Sequence, residues 1–160
     1  MSQIKTLHED TNYIGFFKPA NIPTTYGSEE NCFIKMVRET YPELFTFIGF
    51  KEEEAGLLYR LDNETSGLLL FAKNKEAFDK FINDKNLEKV YLAETITLPE
   101  KRSGIINFPI AHKSSKKMLA IQAGKKLDFR GKPMIAETRY EVYSRTQNSE
   151  LRTQFLKCYI

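Results

Sequence analysis

The chain has 160 residues, 41% of them hydrophobic and 12% aromatic, enough for one globular domain with a core and not comfortably for two. A net charge of +3 and a pI near 8.7 admit an acidic partner such as nucleic acid without requiring one. Cys32 and Cys158 stand far apart and outside any CxxC spacing, which argues against a disulfide framework or a zinc site and fits a reducing cytoplasm; no run reaches the ~18 apolar residues of a membrane span, and MSQIKTLHEDTN lacks the apolar stretch of a signal peptide.

Residues 13–17, YIGFF, read as a short apolar strand ending in KPANIPT, where Pro19 and Pro23 force extended or turn backbone and remove donors. A helix is expected next, capped by Ser28 and running through Tyr41. Phe33, Met36 and Val37 fall at helical spacing, Glu29 and Glu30 suit the first turn, and Pro42 stops it. The EEE run at 52–54 reads as a solvated connection. GLLY (56–59) and LLLFA (68–72) are apolar, too short for helices and bounded by Gly56 and Gly67, so they predict two strands around a polar loop.

Asn74 is placed to cap a second helix, in which Ala77, Phe78, Phe81 and Ile82 make one apolar stripe. KVYLAETITL (89–98) alternates, setting Tyr91, Ala93, Thr95 and Thr97 opposite the greasier Val90, Leu92 and Ile96. Tyr91 is thus expected to face away from the greasy side. Further strands are expected at 118–122, 135–144 and 151–160, with Gly124, Gly131 and Asn148 as intervening turn residues. Strands outnumber helices and connections are of hairpin length, which predicts an α+β fold: a mixed, largely antiparallel sheet with two or more flanking helices. Residues 1–160 are read as a single domain. Because the last strand still alternates at Ile160, that domain is expected to be truncated at its C-terminus.

Positions 59–73 read YRLDNETSGLLLFAK, with Arg60 and Asp62 at the lip of a strand, where neither helps packing. Taken alone, such a pair is ordinarily a surface ion pair that contributes little. The other reading is chemistry done at the loop.

In its context the segment GLLYRLDNETSGLLLFAK resembles the motif of RluA-family pseudouridine synthases, usually His-Arg-Leu-Asp, two variable residues, then Thr-Ser-Gly-Leu and an apolar strand. Four further segments are similar to that family's in the same order: KPANIPT (18–24), where the family carries Lys-Pro-Ala-Gly-hydrophobic-Pro, KVYLA (89–93), NFPIAH (107–112) and KPMIAETRYEVY (132–143). The resemblance implies a pseudouridine synthase catalytic fold that isomerises uridine in structural RNA, ribosomal or transfer, with no metal and no organic cofactor. The bond from N1 of the base to the ribose breaks, the uracil turns, and C5 is rejoined to the same carbon.

On that resemblance Asp62 is the catalytic carboxylate, acting as nucleophile or as base, and it must be ionised in either role. A cation as close as Arg60 favours that state. Arg60 itself is implied to flip the target nucleotide or hold the vacated site. Tyr91 is implied to stack on the flipped uracil, its hydroxyl helping to take the C5 proton.

Two departures stand out. Tyr59 occupies the position of the usual histidine, a change expected to touch packing or loop contacts. The family's Gly-Arg-x-His-Gln-Ile-Arg segment, which supplies the aspartate's basic partner, has no counterpart here. The alternative reading is therefore a catalytically inactive or fragmentary RNA-binding module, with self-association through an exposed sheet edge. A glycosidase using Asp62 and Glu64 is disfavoured, because two carboxylates in one tight loop do not flank a sugar.

Between Lys113 and Lys132, the residues Lys113, Lys116, Lys117, Lys125, Lys126, Arg130 and Lys132 face a single acid, Asp128. The stretch reads either as a surface that tracks RNA phosphates or as a solvated hairpin. His8 and His112 have no partners at ligand or triad spacing and are read as surface or loop residues.

Overall fold

The computed structural model describes residues 4–27, 31–97, 99–114, 117–122, 124, 127–145 and 154–160. They fall into two compact units, Met1–Lys85 and Asn86–Ile160.

In the first unit β1 (Thr6–Glu9), β2 (Tyr13–Lys18) and β3 (Gly67–Ala72) form an antiparallel sheet in that order, with helices α1 (Phe33–Thr40) and α2 (Lys75–Asn83). β1 has no apolar signature in the sequence and exists because Asp10 builds a turn. Its Oδ1 accepts the amides of Asn12 and Tyr13, each at 2.7 Å.

Alternation along β2 sends Ile14, Phe16 and Lys18 to one face, all at 2% exposure or less. Phe16 lies opposite Leu69, and Ile14 opposite Phe71. The Phe16 ring is 5.7 Å from Phe71 and 4.9 Å from Tyr41, next to the buried Phe33, Ile34 and Val37 of α1 in sequence and core. On the other face Tyr13, Phe47, Tyr59, Leu70 and Phe81 pack around Leu58, Ala72, Ala77 and Phe78.

Helix α1 begins at Phe33, later than a Ser28 cap implies; Ser28, Glu29 and Glu30 lie outside the described residues. The start is set by tertiary bonding. Phe33 N–H donates to Pro23 O at 2.8 Å and Ile34 N–H to Thr24 O at 3.0 Å, so loop carbonyls satisfy amides that a side-chain cap would otherwise serve. The second helix is capped as expected, Asn74 Oδ1 accepting from Ala77 N–H at 2.8 Å.

Residues 56–59 make less than a strand. A single bridge joins Leu57 to Phe71, flanked by Leu58 N–H to Leu70 O at 3.1 Å and Ala72 N–H to Gly56 O at 2.8 Å. The EEE run also departs from expectation. It is a short 3₁₀ turn, Glu52–Glu54, and Glu54 is buried, because Leu57 N–H donates to Glu54 O at 3.0 Å and folds that residue under Lys51, whose ammonium is 3.4 Å away.

The second unit holds β4 (Val90–Thr95), β5 (Ser103–Ile106), β6 (Ile110–Ser114), β7 (Lys117–Ala120), β8 (Arg130–Met134), β9 (Thr138–Arg145) and β10 (Gln154–Tyr159). They form two antiparallel sheets, ordered β4-β10-β9-β5 and β7-β6-β8. β5, β6 and β8 are short strands without a strong apolar pattern, and β8 carries Pro133, tolerated because it is an edge strand. Of the strand expected at 151–160, residues 151–153 lie outside the described residues, as does Asn148.

β4 alternates as expected, yet the burial is opposite in sign. Val90 and Leu92 are 50% and 58% exposed, whereas Tyr91, Ala93 and Thr95 are half-buried. The row across the sheet decides this. Tyr91 pairs with Cys158 and Ala93 with Leu156, which in turn face Tyr140 and Val142, all half-buried. Every named ladder is antiparallel, and with two helices the fold is α+β. No helix among the described residues is long and apolar enough to cross a membrane.

Candidate active site

The loop between Leu58 and Gly67 is held from below. Leu61 is buried, while its neighbours Arg60 and Asp62 are exposed, so an apolar peg anchors the backbone and turns both charged side chains outward. The peg is locked by Thr24 from the KPANIPT loop. Its buried hydroxyl donates to Leu61 O at 2.5 Å and accepts from Leu61 N–H at 3.2 Å. Asp62 O then accepts from Thr65 N–H at 3.1 Å, closing the turn that carries Asn63 and Glu64.

Lys18 completes the clamp. It continues the buried face of β2 beyond Phe16 and is fully buried, its ammonium donating to Pro19 O at 2.8 Å, Ile22 O at 2.7 Å and Asn63 O at 3.3 Å. Asn21 N–H also reaches Asn63 O, at 2.7 Å. Asn21 adopts φ 63, the left-handed region that glycine enters freely and asparagine tolerates, at the place where the resembling segment carries glycine. Burial pushes the Lys18 ammonium below the usual lysine range, and the negative charges of Asp62 and Glu64 pull the other way.

Lys18 is therefore the buried cation on which the charges of Asp62 and Glu64 act. Arg60 and Asp62 form no ion pair with each other, and among the described residues neither side chain has a hydrogen-bond partner. Lys18 was legible only as turn architecture; the signal for more was a lysine two residues after Phe16 on an alternating buried strand. Tyr59, in the histidine position, is a packing residue. Its ring stacks on Phe81 at 6.5 Å and its hydroxyl donates to Leu68 O at 2.9 Å.

Arg60 and Asp62 thus share one loop of the first unit, and Tyr91 lies on β4 of the second, half-buried. Of the basic stretch, Lys113, Lys117, Arg130 and Lys132 are exposed on the β7-β6-β8 sheet, with Arg130 directly across from His112. None of the four has an ion-pair partner among the described residues. Lys116, Lys125 and Lys126 lie outside the described residues. No cluster of three metal-ligating side chains occurs among the described residues.

The loop thus presents an exposed carboxylate on a backbone pinned from below. The family described as RNA pseudouridylate synthase matches residues 12–159. The chain belongs to the RNA pseudouridylate synthase family, of the RluA type its motifs resemble.

It is 36% identical over 101 residues to the ribosomal large subunit pseudouridine synthase C of Rickettsia bellii, covering 61% of this chain and 31% of that protein. It is 27% identical over 161 residues to the mitochondrial pseudouridylate synthase RPUSD4 of Homo sapiens, covering 91% of this chain and 42% of that protein. Among solved structures it is similar to human RNA pseudouridylate synthase domain containing 4, with a TM-score of 0.68 at 23% identity over 97% of this chain and 58% of that one. Human RNA pseudouridylate synthase domain containing 1 gives a TM-score of 0.72 at 16% identity, covering 98% and 59%. The likeness to these two structures shows the fold. The chain spans less than half the length of the two curated relatives, 31% and 42%.

Proposed function

We propose that this chain isomerises uridine to pseudouridine in structural RNA, with Asp62 as the catalytic carboxylate. The observation that carries the reading is the clamp: the 18–24 segment pins both Leu61 and Asn63, and the residue between them is an exposed acid with no hydrogen-bond partner among the described residues. Arg60, free beside it, flips the target nucleotide or fills its place, since a planar guanidinium stacks and hydrogen-bonds together. Tyr91 stacks on the uracil. Lys113, Lys117, Arg130 and Lys132, joined by Lys116, Lys125 and Lys126, track phosphates. Ribosomal RNA is the first substrate to test, because the Rickettsia relatives are named for the ribosomal large subunit. Two free thiols, Cys32 and Cys158, are in keeping with action in the reducing cytoplasm. β4 is an outer strand with exposed Val90 and Leu92, which supports self-association along that edge.

The test is tritium release from RNA labelled at uracil C5, with transfer and ribosomal RNA offered separately. Release by the chain that Asp62→Asn abolishes supports the reading. Salt-dependent RNA binding without release, indifferent to Asp62→Asn, would establish a binding module instead.

A further inference from the structure

A cavity of about 260 Å³ lies in the first unit, lined by Phe50, Lys51, Glu54, Leu57, Tyr59 and Arg60. The uridine chemistry proposed above draws on one of these residues, Arg60, and gives the cavity itself no role; Asp62 is not among its lining residues. Phe50, Leu57 and Tyr59 give it an aromatic and apolar wall, and that wall is anchored. Leu57 is 1% exposed, Tyr59 is held by Phe81 and Leu68, and the Phe50 ring meets Phe78 edge-on at 5.1 Å while remaining 59% exposed. The backbone beneath is just as constrained. Ala55 adopts φ 48, and a Cβ on Gly49 or Gly56 would stand 2.1 Å from a carbonyl oxygen, that of Ala55 or of Ala72. The positive φ of Ala55 is backbone strain, which concentrates at working sites.

Glu54 is the feature that asks for a ligand. It is 5% exposed, and the cation paired with it, Lys51, is more than half in solvent. An ionised carboxylate accepts about four hydrogen bonds, and a buried one left short of donors is costly. One exposed lysine leaves most of that capacity open.

We propose that this cavity is a subsite for an unpaired guanine flanking the target uridine, with Glu54 reading its Watson–Crick edge; the proposal rests on the RNA reading above. A carboxylate only accepts, and guanine alone presents two adjacent donors, N1–H and the 2-amino group, spaced for its two oxygens. Adenine and cytosine set an acceptor beside their single amino group, and uracil sets its N–H between two carbonyls. Each therefore turns a lone pair toward Glu54. Phe50 and Tyr59 offer ring surface to a splayed base, and Lys51 and Arg60 at the rim offset the acid and meet flanking phosphates. The volume, below the ~300 Å³ of the smallest drug-sized pockets, suits a single heterocycle.

The experiment follows the methyl signals of Leu57 in the whole chain during titration with GMP, IMP, AMP, CMP and UMP. GMP is expected to shift them and to bind at least about tenfold more tightly than AMP, CMP or UMP, with IMP, which lacks the 2-amino group, in between. Glu54→Gln is expected to bring all five within about twofold, because the carboxamide offers one acceptor and an opposing donor. Phe50→Ala, at an exposed position that folding tolerates, is expected to weaken every nucleotide and keep the ranking, and it decides the matter if Glu54→Gln does not fold. Equal binding of all nucleotides, a GMP preference untouched by Glu54→Gln, or silent Leu57 methyls would overturn the proposal. Because this readout needs no turnover, lost guanine preference with intact tritium release rejects the subsite alone. Preference without release rejects the uridine chemistry alone.

Discussion

The ammonium of Lys18 donates to the carbonyl of Asn63 at 3.3 Å, and by that bond the end of β2 holds the turn that follows Asp62. Two more carbonyls, of Pro19 and Ile22, complete its shell in a fully buried site. Removing the ammonium leaves the carbonyls of Pro19 and Ile22 without their donor, weakens the hold on Asn63, whose carbonyl keeps the Asn21 amide, and takes away a buried cation on which Asp62 acts. Lys18→Met is expected to lower stability by at least about 2 kcal/mol in urea unfolding. At a temperature where the variant is folded, tritium release is expected to fall as well; full release from folded Lys18→Met would mean the clamp plays no part in presenting the acid.

The two segments that clamp was built from were visible separately and their connection was not. KPANIPT and RLDNETSG stood out as motifs, but that Thr24 bonds Leu61 through both its backbone groups is a tertiary fact that no periodicity encodes. α2 was readable because Asn74 caps it locally. The start of α1 was not, because Pro23 and Thr24 carbonyls serve it from a loop. On β4 the alternation and the placing of Tyr91 opposite Val90 and Leu92 were legible, whereas which face is buried was not, since burial there follows the row through Cys158 and Tyr140 more than the greasiness of Val90 and Leu92. Glu54 was misread for a related reason: charge predicts solvent only when no turn folds the residue inward.

Asp10 sets the pH response of the first hairpin. A hydrogen bond from His8, then the amides of Tyr13 and Asn12, hold its carboxyl at about 2, below the ordinary 3.8. A carboxylate whose folded value is depressed stabilises the fold fully above the unfolded value and loses that contribution as pH falls through the folded one. Asp10→Asn, which imitates the protonated acid while keeping an oxygen for the two amides, is expected to melt below the parent at pH 7. The gap between the two melting temperatures should close between about pH 4 and pH 2. A gap that persists unchanged at pH 2 would show that the charge is not its source.

Arg60 separates flipping from chemistry. Exposed and without a hydrogen-bond or ion-pair partner among the described residues, it adds little to the stability of the fold. Arg60→Ala is therefore expected to leave the unfolding midpoint in place and to lower kcat/KM on folded RNA by about a hundredfold, the equivalent of the few kcal/mol needed to extrude a stacked base. On an unstructured oligonucleotide, where the uridine is already unstacked, the loss should be much smaller. An equal loss on both substrates would assign Arg60 to the chemical step.

The β7-β6-β8 sheet makes a separate claim on the same RNA. Lys113, Lys117, Arg130 and Lys132 stand exposed and unpaired with acids among the described residues, so their charge is available to phosphates. Each phosphate contact displaces condensed counterions and adds ~0.7 to ~0.9 to the slope of log affinity against log salt. Replacing all four by glutamine is expected to flatten that slope by about 3 and to weaken binding of every RNA alike, because phosphate contacts position without reading sequence. Fluorescence anisotropy across a salt series measures both quantities. A slope unchanged by the four substitutions would mean that the sheet is solvated and that RNA is held elsewhere on the chain.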